Sequence, residues 1–231
     1  VPGVDLTIDG GRFDEVYGGG NGELGYLGEA YYANVGSYGI HILLGGGRIR
    51  LLVNGSNDYG SVGGTITSET MQPPVCSESV VEDYFLGNNH TNLFEDIDAI
   101  IYCGEGNGMV MRFVNLYCGS NLAKQYGNIN VIIEGGVFEN VYGGSKGALD
   151  DPATPDNEFF ESDICIIDQS IVDLHPELPG LASRVGDGGN VTLTIKGGTI
   201  GDLYGGCNVN GNIEGKISIT IYEDEEQCPL L

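Results

Sequence analysis

The sequence predicts an all-β fold built as a β-solenoid, a coil of short strands stacked in parallel. Three observations lead to this prediction. A pattern of alternating apolar residues, Gly-Gly, a second apolar pair and Tyr-Gly-Gly recurs along the chain. Its first two copies, residues 4–21 and 40–57, align without a gap. The chain also has 40 glycines among 231 residues and no tryptophan, whereas average usage has roughly 7% glycine.

The spacing of the copies indicates about five to six coils. Clear copies occupy residues 4–21, 40–57, 129–146 and 191–208, a divergent copy lies near residues 99–121, and a sixth begins at residues 217–221. The shortest interval between equivalent strands, from Val191 to Ile217, is 26 residues. That length suits one coil and is too short for a four-stranded propeller blade. We therefore expect the longer intervals to contain insertions at the corners.

Each copy opens with a predicted strand that has one buried face. In the first copy Val4, Leu6 and Ile8 alternate with Asp5 and Thr7, and a period of two residues is typical of a half-buried strand. The Gly-Gly that follows permits a sharp corner, because glycine tolerates positive φ. A second short strand then leads to Tyr-Gly-Gly, which is the next corner.

Stacked coils would bring equivalent side chains into ladders, which parallel stacking favours. The predicted tyrosine ladder contains Tyr17, Tyr117, Tyr142 and Tyr204, with Val53 at the same position, and the predicted asparagine ladder contains Asn21, Asn57, Asn121 and Asn208. A carbohydrate-stacking platform is the alternative interpretation of the tyrosines. The ladder is favoured, because the tyrosines recur at a corner of the repeat.

The repeat is clearest at residues 4–20 and 129–144. There it resembles the glycine-rich repeats of large cell-surface β-helix proteins of Bacteroidetes-type bacteria. The resemblance covers about half of the chain. It implies a right-handed parallel β-helix and an exported protein, secreted or attached to the cell surface. It brings no catalytic residues with it, and the long insertions depart from the regular pattern.

Composition restricts the possible partners. Nine Lys and Arg against 33 Asp and Glu give a formal charge of −24, which argues against nucleic acid, because phosphate contacts need clustered cations. No stretch approaches the roughly 18 to 20 apolar residues of a membrane helix. The six cysteines are Cys76, Cys103, Cys118, Cys165, Cys207 and Cys228. None forms a CxxC pair, and reduced thiols are favoured over one of the 15 complete disulfide pairings that six cysteines allow.

Function on such a fold is expected in the insertions, which we place at residues 26–38, 62–94 and 146–189. The third contains an acidic cluster of Asp150, Asp151, Asp156, Glu158, Glu161 and Asp163. Carboxylate oxygens are the ligands that Ca²⁺ prefers, so Asp150, Asp151, Asp156 and Glu158 are candidate ligands. The spacing matches no EF-hand loop, and a solvated acidic loop is the simpler interpretation.

Enzymatic chemistry finds little support in the sequence, although parallel β-helices also host polysaccharide lyases and hydrolases and the fold alone does not decide function. Asp150 and Asp151 form the only adjacent aspartate pair, and they lie in an insertion rather than on a repeat strand. Arg12 and Arg48 occupy equivalent positions and could supply a lyase base, but surface residues of the repeat are the simpler interpretation. We expect no catalytic residues and no cofactor other than a Ca²⁺ ion.

These observations predict a single domain over residues 1–231, a segment of a longer solenoid or one whose ends pack against neighbours. The expected function is that of a non-enzymatic, exported cell-surface solenoid, an adhesin-like protein or structural stalk whose insertions bind a partner. Its partners would be host or bacterial surface glycans or proteins, with end-to-end or edge self-association. The alternative is a carbohydrate-active or carbohydrate-binding β-helix.

Overall fold

The computed structural model describes residues 1–71, 79–102, 110–149 and 161–222. A first sheet contains β1 (Val4–Ile8), β5 (Ile40–Leu44), β7 (Ile66–Thr70), β9 (Ile97–Ile101), β11 (Ile129–Ile133), β13 (Val191–Ile195) and β15 (Ile217–Ile221). A second sheet contains β2 (Arg12–Tyr17), β6 (Arg48–Val53), β8 (Val80–Phe85), β10 (Arg112–Tyr117), β12 (Val137–Tyr142) and β14 (Thr199–Tyr204). The remaining elements are the short strands β3 (Glu23–Leu24) and β4 (Ala30–Tyr31), helix α1 (Gln169–Leu174) and a 3₁₀ helix (Pro179–Arg184).

The chain alternates between the two sheets, and every pairing within them is parallel. Each strand pairs with the equivalent strand of the next repeat, so that β1 pairs with β5 from Val4 opposite Ile40 to Ile8 opposite Leu44. A third line of isolated parallel bridges joins Leu93, Gln125, Ile164 and Ile213. The prediction of an all-β fold is confirmed, and the strands of its two large sheets are parallel. None of the helices in the described ranges is long and apolar enough to cross a membrane.

The core lies between the sheets and is filled by the alternating residues of the repeat. Inward side chains such as Ile42, Leu44 and Ile66 are completely buried, and they join one cluster with their equivalents on the other strands. In β12 the second residue, Phe138, stacks on Phe113 of β10 with ring centroids 4.9 Å apart. Burial of one face per strand is therefore what specifies the register.

Gly-Gly corners join the two sheets. After β11, Gly136 has a φ of +100°, a conformation that residues with a β-carbon rarely adopt. After this corner the chain enters β12, where the Val137 N–H donates to the Met111 carbonyl at 2.9 Å. The glycine therefore allows a connection short enough to keep both sheets in register.

Residues 62–94 were predicted to be an insertion, and this prediction is wrong, because the segment contains two strands of the parallel sheets. The structure places Ile66–Thr70 in the first sheet and Val80–Phe85 in the second. This repeat escapes recognition because its inward residues include Ser68 and Thr70, both buried. The Ser68 hydroxyl is hydrogen-bonded to the Tyr84 hydroxyl inside the core. The first sheet consequently has seven strands, where the sequence indicated five to six copies.

Part of the predicted insertion 146–189 also belongs to the framework, because Ile164 lies in the third line of bridges. Beyond it, α1 begins after Asp168, whose carboxylate accepts the Ile171 N–H at 3.0 Å. A small separate cluster beneath α1 and the 3₁₀ helix contains Tyr126, Cys165, Ile167 and Leu181. Arg184 fixes this excursion to the framework by donating to the Phe94 carbonyl at 2.6 Å and to Asp96 at 3.0 Å.

Candidate functional site

A hairpin after the first Tyr-Gly-Gly corner carries a group of exposed aromatic side chains. Within residues 23–38, which we call the tyrosine hairpin, lie Tyr26, Tyr31, Tyr32 and Tyr38. Tyr26 is fully exposed, and 85% of Tyr38 is exposed. Leu24 and Leu27 add exposed apolar surface. Single exposed apolar residues are ordinary, but a group of them marks an interaction surface.

Local hydrogen bonds give the tyrosine hairpin its shape. Strands β3 and β4 are antiparallel, with Leu24 opposite Ala30. At the turn the Gly25 N–H donates to the Glu29 carbonyl at 2.7 Å, and the Gly28 N–H donates to the Gly25 carbonyl at 2.9 Å. Gly28 has a φ of +86°. Tyr26 lies in this tight turn, and its ring projects into solvent.

The base of the tyrosine hairpin is tied to the parallel framework. The Ala33 N–H donates to the Tyr59 carbonyl at 3.2 Å, and Val35 forms a parallel bridge with Val62. Val35 and Val62 are both buried in the main core. The exposed rings are therefore carried on a short hairpin whose return strand is anchored, a geometry that limits the entropy lost on binding.

The predicted tyrosine ladder lies at the last position of the second-sheet strands. From β2 to β14 this position is occupied by Tyr17, Val53, Phe85, Tyr117, Tyr142 and Tyr204. The centroids of Tyr117 and Tyr142 are 4.9 Å apart, as are those of Tyr142 and Tyr204. Phe85, which the repeat pattern did not predict at this position, stacks on Tyr117 with ring centroids 4.4 Å apart.

Most of these stacked rings are closed to ligands. Only 2% of Tyr117 is exposed, and burial raises the pKa of its hydroxyl to about 12. Tyr204, at the end of the stack, is 46% exposed. The stack packs as a separate apolar cluster with Val53 and Phe85. A carbohydrate platform on this ladder would need ring faces that the neighbouring repeats already cover.

The asparagines form a hydrogen-bonded series along four consecutive repeats. The Asn57 side chain donates to Asn21 at 2.6 Å, Asn89 donates to Asn57 at 2.6 Å, and Asn121 donates to Asn89 at 2.7 Å. Asn89 was missed because its repeat was interpreted as an insertion. Asn208 is placed differently and donates to the Tyr117 hydroxyl at 3.2 Å. The amide ladder therefore covers only part of the stack.

The candidate Ca²⁺ ligands Asp150, Asp151, Asp156 and Glu158 lie outside the described residues, and that site stays a prediction. Of the same acidic cluster, Asp163 is described, and it is already engaged by the Lys124 ammonium at 2.9 Å and the Asn212 N–H at 2.8 Å. Across the described ranges no group of three His, Cys, Asp or Glu side chains could hold a metal ion.

The described cysteines are free thiols. Cys118 and Cys165 are buried, and burial raises the pKa of each to about 12. Burial also raises the pKa of Cys207. These thiols are protonated at neutral pH, which makes them poor nucleophiles and poor metal ligands. The other three cysteines, Cys76, Cys103 and Cys228, lie outside the described residues.

Arg12 and Arg48, noted above as possible surface residues of the repeat, are direct neighbours on β2 and β6. Comparison with known proteins adds no further residue to the site. No family model, curated protein or solved structure matches this chain. The function must therefore be argued from the side chains themselves, and among these the tyrosine hairpin presents the clearest binding surface.

Proposed function

We propose that this chain is a non-enzymatic, exported cell-surface β-solenoid that acts as a stalk and binds a partner through its tyrosine hairpin. In this proposal the two parallel sheets and the third line of bridges are the sides of a right-handed parallel β-helix. Crossover connections between parallel strands of one sheet are right-handed in about 98% of cases, which supports the handedness. Export and surface attachment rest on the resemblance of the repeat.

The observation that carries the proposal is the exposure of four tyrosines on one anchored hairpin. A tyrosine ring offers about 150 to 250 Å² of surface that a partner can bury. Its hydroxyl can also hydrogen-bond, and few rotatable bonds are lost on binding. Tyrosine is accordingly enriched among the residues that dominate binding energy.

The charge of the chain restricts the partner further. With a formal charge of −24, the protein attracts cationic surfaces and repels strongly anionic ones, whereas this charge does not oppose a neutral surface. Glu23 and Glu29 lie within the tyrosine hairpin itself. A surface protein or an uncharged glycan therefore fits the hairpin better than a polyanion. Self-association through strand ends stays a prediction.

A binding screen with two tyrosine variants tests this proposal. Wild-type protein is applied to an array of neutral glycans, acidic glycans and extracellular proteins, alongside Tyr26→Ser/Tyr32→Ser and the control Tyr222→Ser. Tyr222 is also exposed but lies after β15, far along the chain from the hairpin. We expect binding that the double variant loses by at least about tenfold, a loss of about 1.4 kcal/mol, and that the control retains. Equal binding by all three proteins would contradict the proposal.

The alternative is a carbohydrate-active or carbohydrate-binding β-helix, because exposed tyrosines also stack on sugar rings. Reducing-sugar and unsaturated-product assays on acidic polysaccharides separate the two functions. Turnover that is abolished by Asp150→Asn or Asp151→Asn would overturn the non-enzymatic proposal. Binding of a neutral glycan without turnover would keep the stalk and identify its partner.

A further inference from the structure

A cleft of about 370 Å³ lies on the second sheet, where β2, β6 and β8 begin. Its volume falls within the range of about 300 to 1,000 Å³ that is typical of small-molecule sites. Its lining includes Arg12, Phe13, Arg48, Ile49, Val80 and Glu82. The cleft lies apart from the tyrosine hairpin in sequence, and it combines cationic and apolar side chains.

Two arginines lie side by side at this cleft. Arg12 of β2 is in direct register with Arg48 of β6, and neighbouring strands are about 4.8 Å apart. Like charges directly opposite each other on a sheet are unfavourable. Arg48 already has an interaction of its own, so Arg12 is the arginine of this pair whose charge a bound anion would compensate. The chain has only nine basic residues against 33 acidic ones, which makes two adjacent arginines a distinctive arrangement.

The guanidinium of Arg12 is available for such an anion. Within the described ranges Arg12 forms no hydrogen bond or ion pair with another side chain. The two carboxylates of its own strand, Asp14 and Glu15, are held by Arg50 at 2.5 and 2.6 Å. They therefore do not compete for Arg12.

The rest of the lining restricts the anion to one of modest charge. Phe13 is 42% exposed, and together with the half-buried Val80 it supplies apolar surface beside the arginines. Glu82 also lines the cleft and would repel a second negative charge. The overall charge of −24 opposes a polyanion in the same way.

We propose that this cleft binds a small organic carboxylate, with one negative charge and a compact apolar body, through the Arg12 guanidinium. The planar guanidinium of arginine matches a carboxylate with two parallel hydrogen bonds. The apolar body of the ligand would pack on Phe13 and Val80. This site is independent of the tyrosine hairpin and adds a second ligand to the proposed stalk.

Titration with benzoate, followed by NMR or calorimetry, tests the site. We expect saturable binding by the wild-type protein, and binding at least about tenfold weaker for Arg12→Ala, since this variant loses the charge-assisted hydrogen bonds to the carboxylate. Arg112→Ala is the matched control, because Arg112 has the same strand position on β10 but does not line the cleft. It removes the same charge and should leave benzoate binding unchanged.

Benzyl alcohol and inorganic phosphate complete the test. Benzyl alcohol has the same ring without the charge and should bind more weakly, as should phosphate, which lacks an apolar body. The proposal is overturned if benzoate does not saturate, if Arg12→Ala binds it normally, or if either probe binds as tightly as benzoate. Arg12→Gln serves as the second variant if Arg12→Ala fails to fold. Tyr26→Ser/Tyr32→Ser should bind benzoate normally, which separates this site from the proposed partner-binding surface.

Discussion

Replacing Gly87 by alanine tests how tightly successive repeats approach each other at the corner after the second sheet. A β-carbon on Gly87 would lie 2.5 Å from the Ser120 Oγ and 3.1 Å from the Ser120 backbone nitrogen. The Ser120 hydroxyl also accepts the Asn88 N–H at 3.1 Å, and both residues are buried. The substitution would therefore crowd the corner and disturb a buried hydrogen bond.

The magnitude follows from these two effects. Overpacking a filled site costs about 1 to 3 kcal/mol, and a buried hydrogen bond contributes about 1 kcal/mol. The alanine variant has less conformational entropy in the unfolded state, which offsets about 0.4 to 1 kcal/mol of this loss of stability. We expect a net loss of about 2 kcal/mol in the free energy of unfolding, measured by urea denaturation with far-UV circular dichroism.

Gly206→Ala is the control, because Gly206 has the same position in the corner after β14. No described atom lies within 4 Å of a β-carbon built on Gly206, so only the unfolded-state term applies and the variant should be stabilised by about 0.4 to 1 kcal/mol. The two substitutions should change stability in opposite directions. A loss of equal size in both, or no loss in Gly87→Ala, would refute the close approach at this corner.

Other expected outcomes concern the core, the thiols and acid stability. Phe113→Ala should lower the free energy of unfolding by about 4 kcal/mol, because Phe113 is buried between two stacked rings. Phe13→Ala, at the same strand position, should lower it by less than half as much. Equal losses of stability in thermal unfolding would contradict this prediction. Iodoacetamide should alkylate Cys118 and Cys165 only after unfolding, because burial raises their pKa to about 12. Alkylation of either thiol in the native protein, detected by mass spectrometry, would contradict this prediction. A serine hydroxyl and a backbone N–H of α1 lower the pKa of Asp168. The Asp168 carboxylate should therefore stabilise the fold fully above its unfolded-state pKa of about 3.9. This stabilisation should be lost as pH falls through the lower folded-state pKa. The difference in free energy of unfolding between the wild type and Asp168→Ala should accordingly become smaller in acid.

The sequence predicts the parallel stacking well because alternation and register follow from one cause. Aligning the copies at residues 4–21 and 40–57 pairs Val4 with Ile40, which is the pairing found between β1 and β5. Each inward residue must meet an inward residue of the next repeat, and a shift by one would expose them all. Apolar periodicity therefore carries the register with it.

The repeat with β7 and β8 could not be found in this way. Its inward position Ser68 is polar and is satisfied by Tyr84 of the following strand, a contact that only the folded chain reveals. Because the inward residues Ser68 and Thr70 are polar, the strand lacks the apolar alternation that identifies the other copies. The corner signal is also absent, since Phe85-Leu86-Gly87 stands in place of Tyr-Gly-Gly.

Exposure of the tyrosines could not be predicted either. A glycine lies within two residues of both Tyr117 and Tyr26, in Tyr-Cys-Gly and Gly-Tyr-Leu-Gly. One is buried in the stack, however, and the other projects into solvent. Residue type and local composition are similar, and only the neighbouring repeats distinguish a structural ring from a binding ring. The segment 26–38 is recognisable from sequence as an excursion, but not as an aromatic surface.

The connections that follow the second sheet differ greatly in length without disturbing the pairing on either side. Residues 118–128 join β10 to β11, whereas residues 143–190 join β12 to β13. Even so, β11 pairs with β13 in register from Ile129 opposite Val191 to Ile133 opposite Ile195. For protein engineering, this connection is a permissive position for displaying foreign peptides, provided that the framework part at Ile164 is kept, since β12 and β13 are held in their sheets by the neighbouring strands.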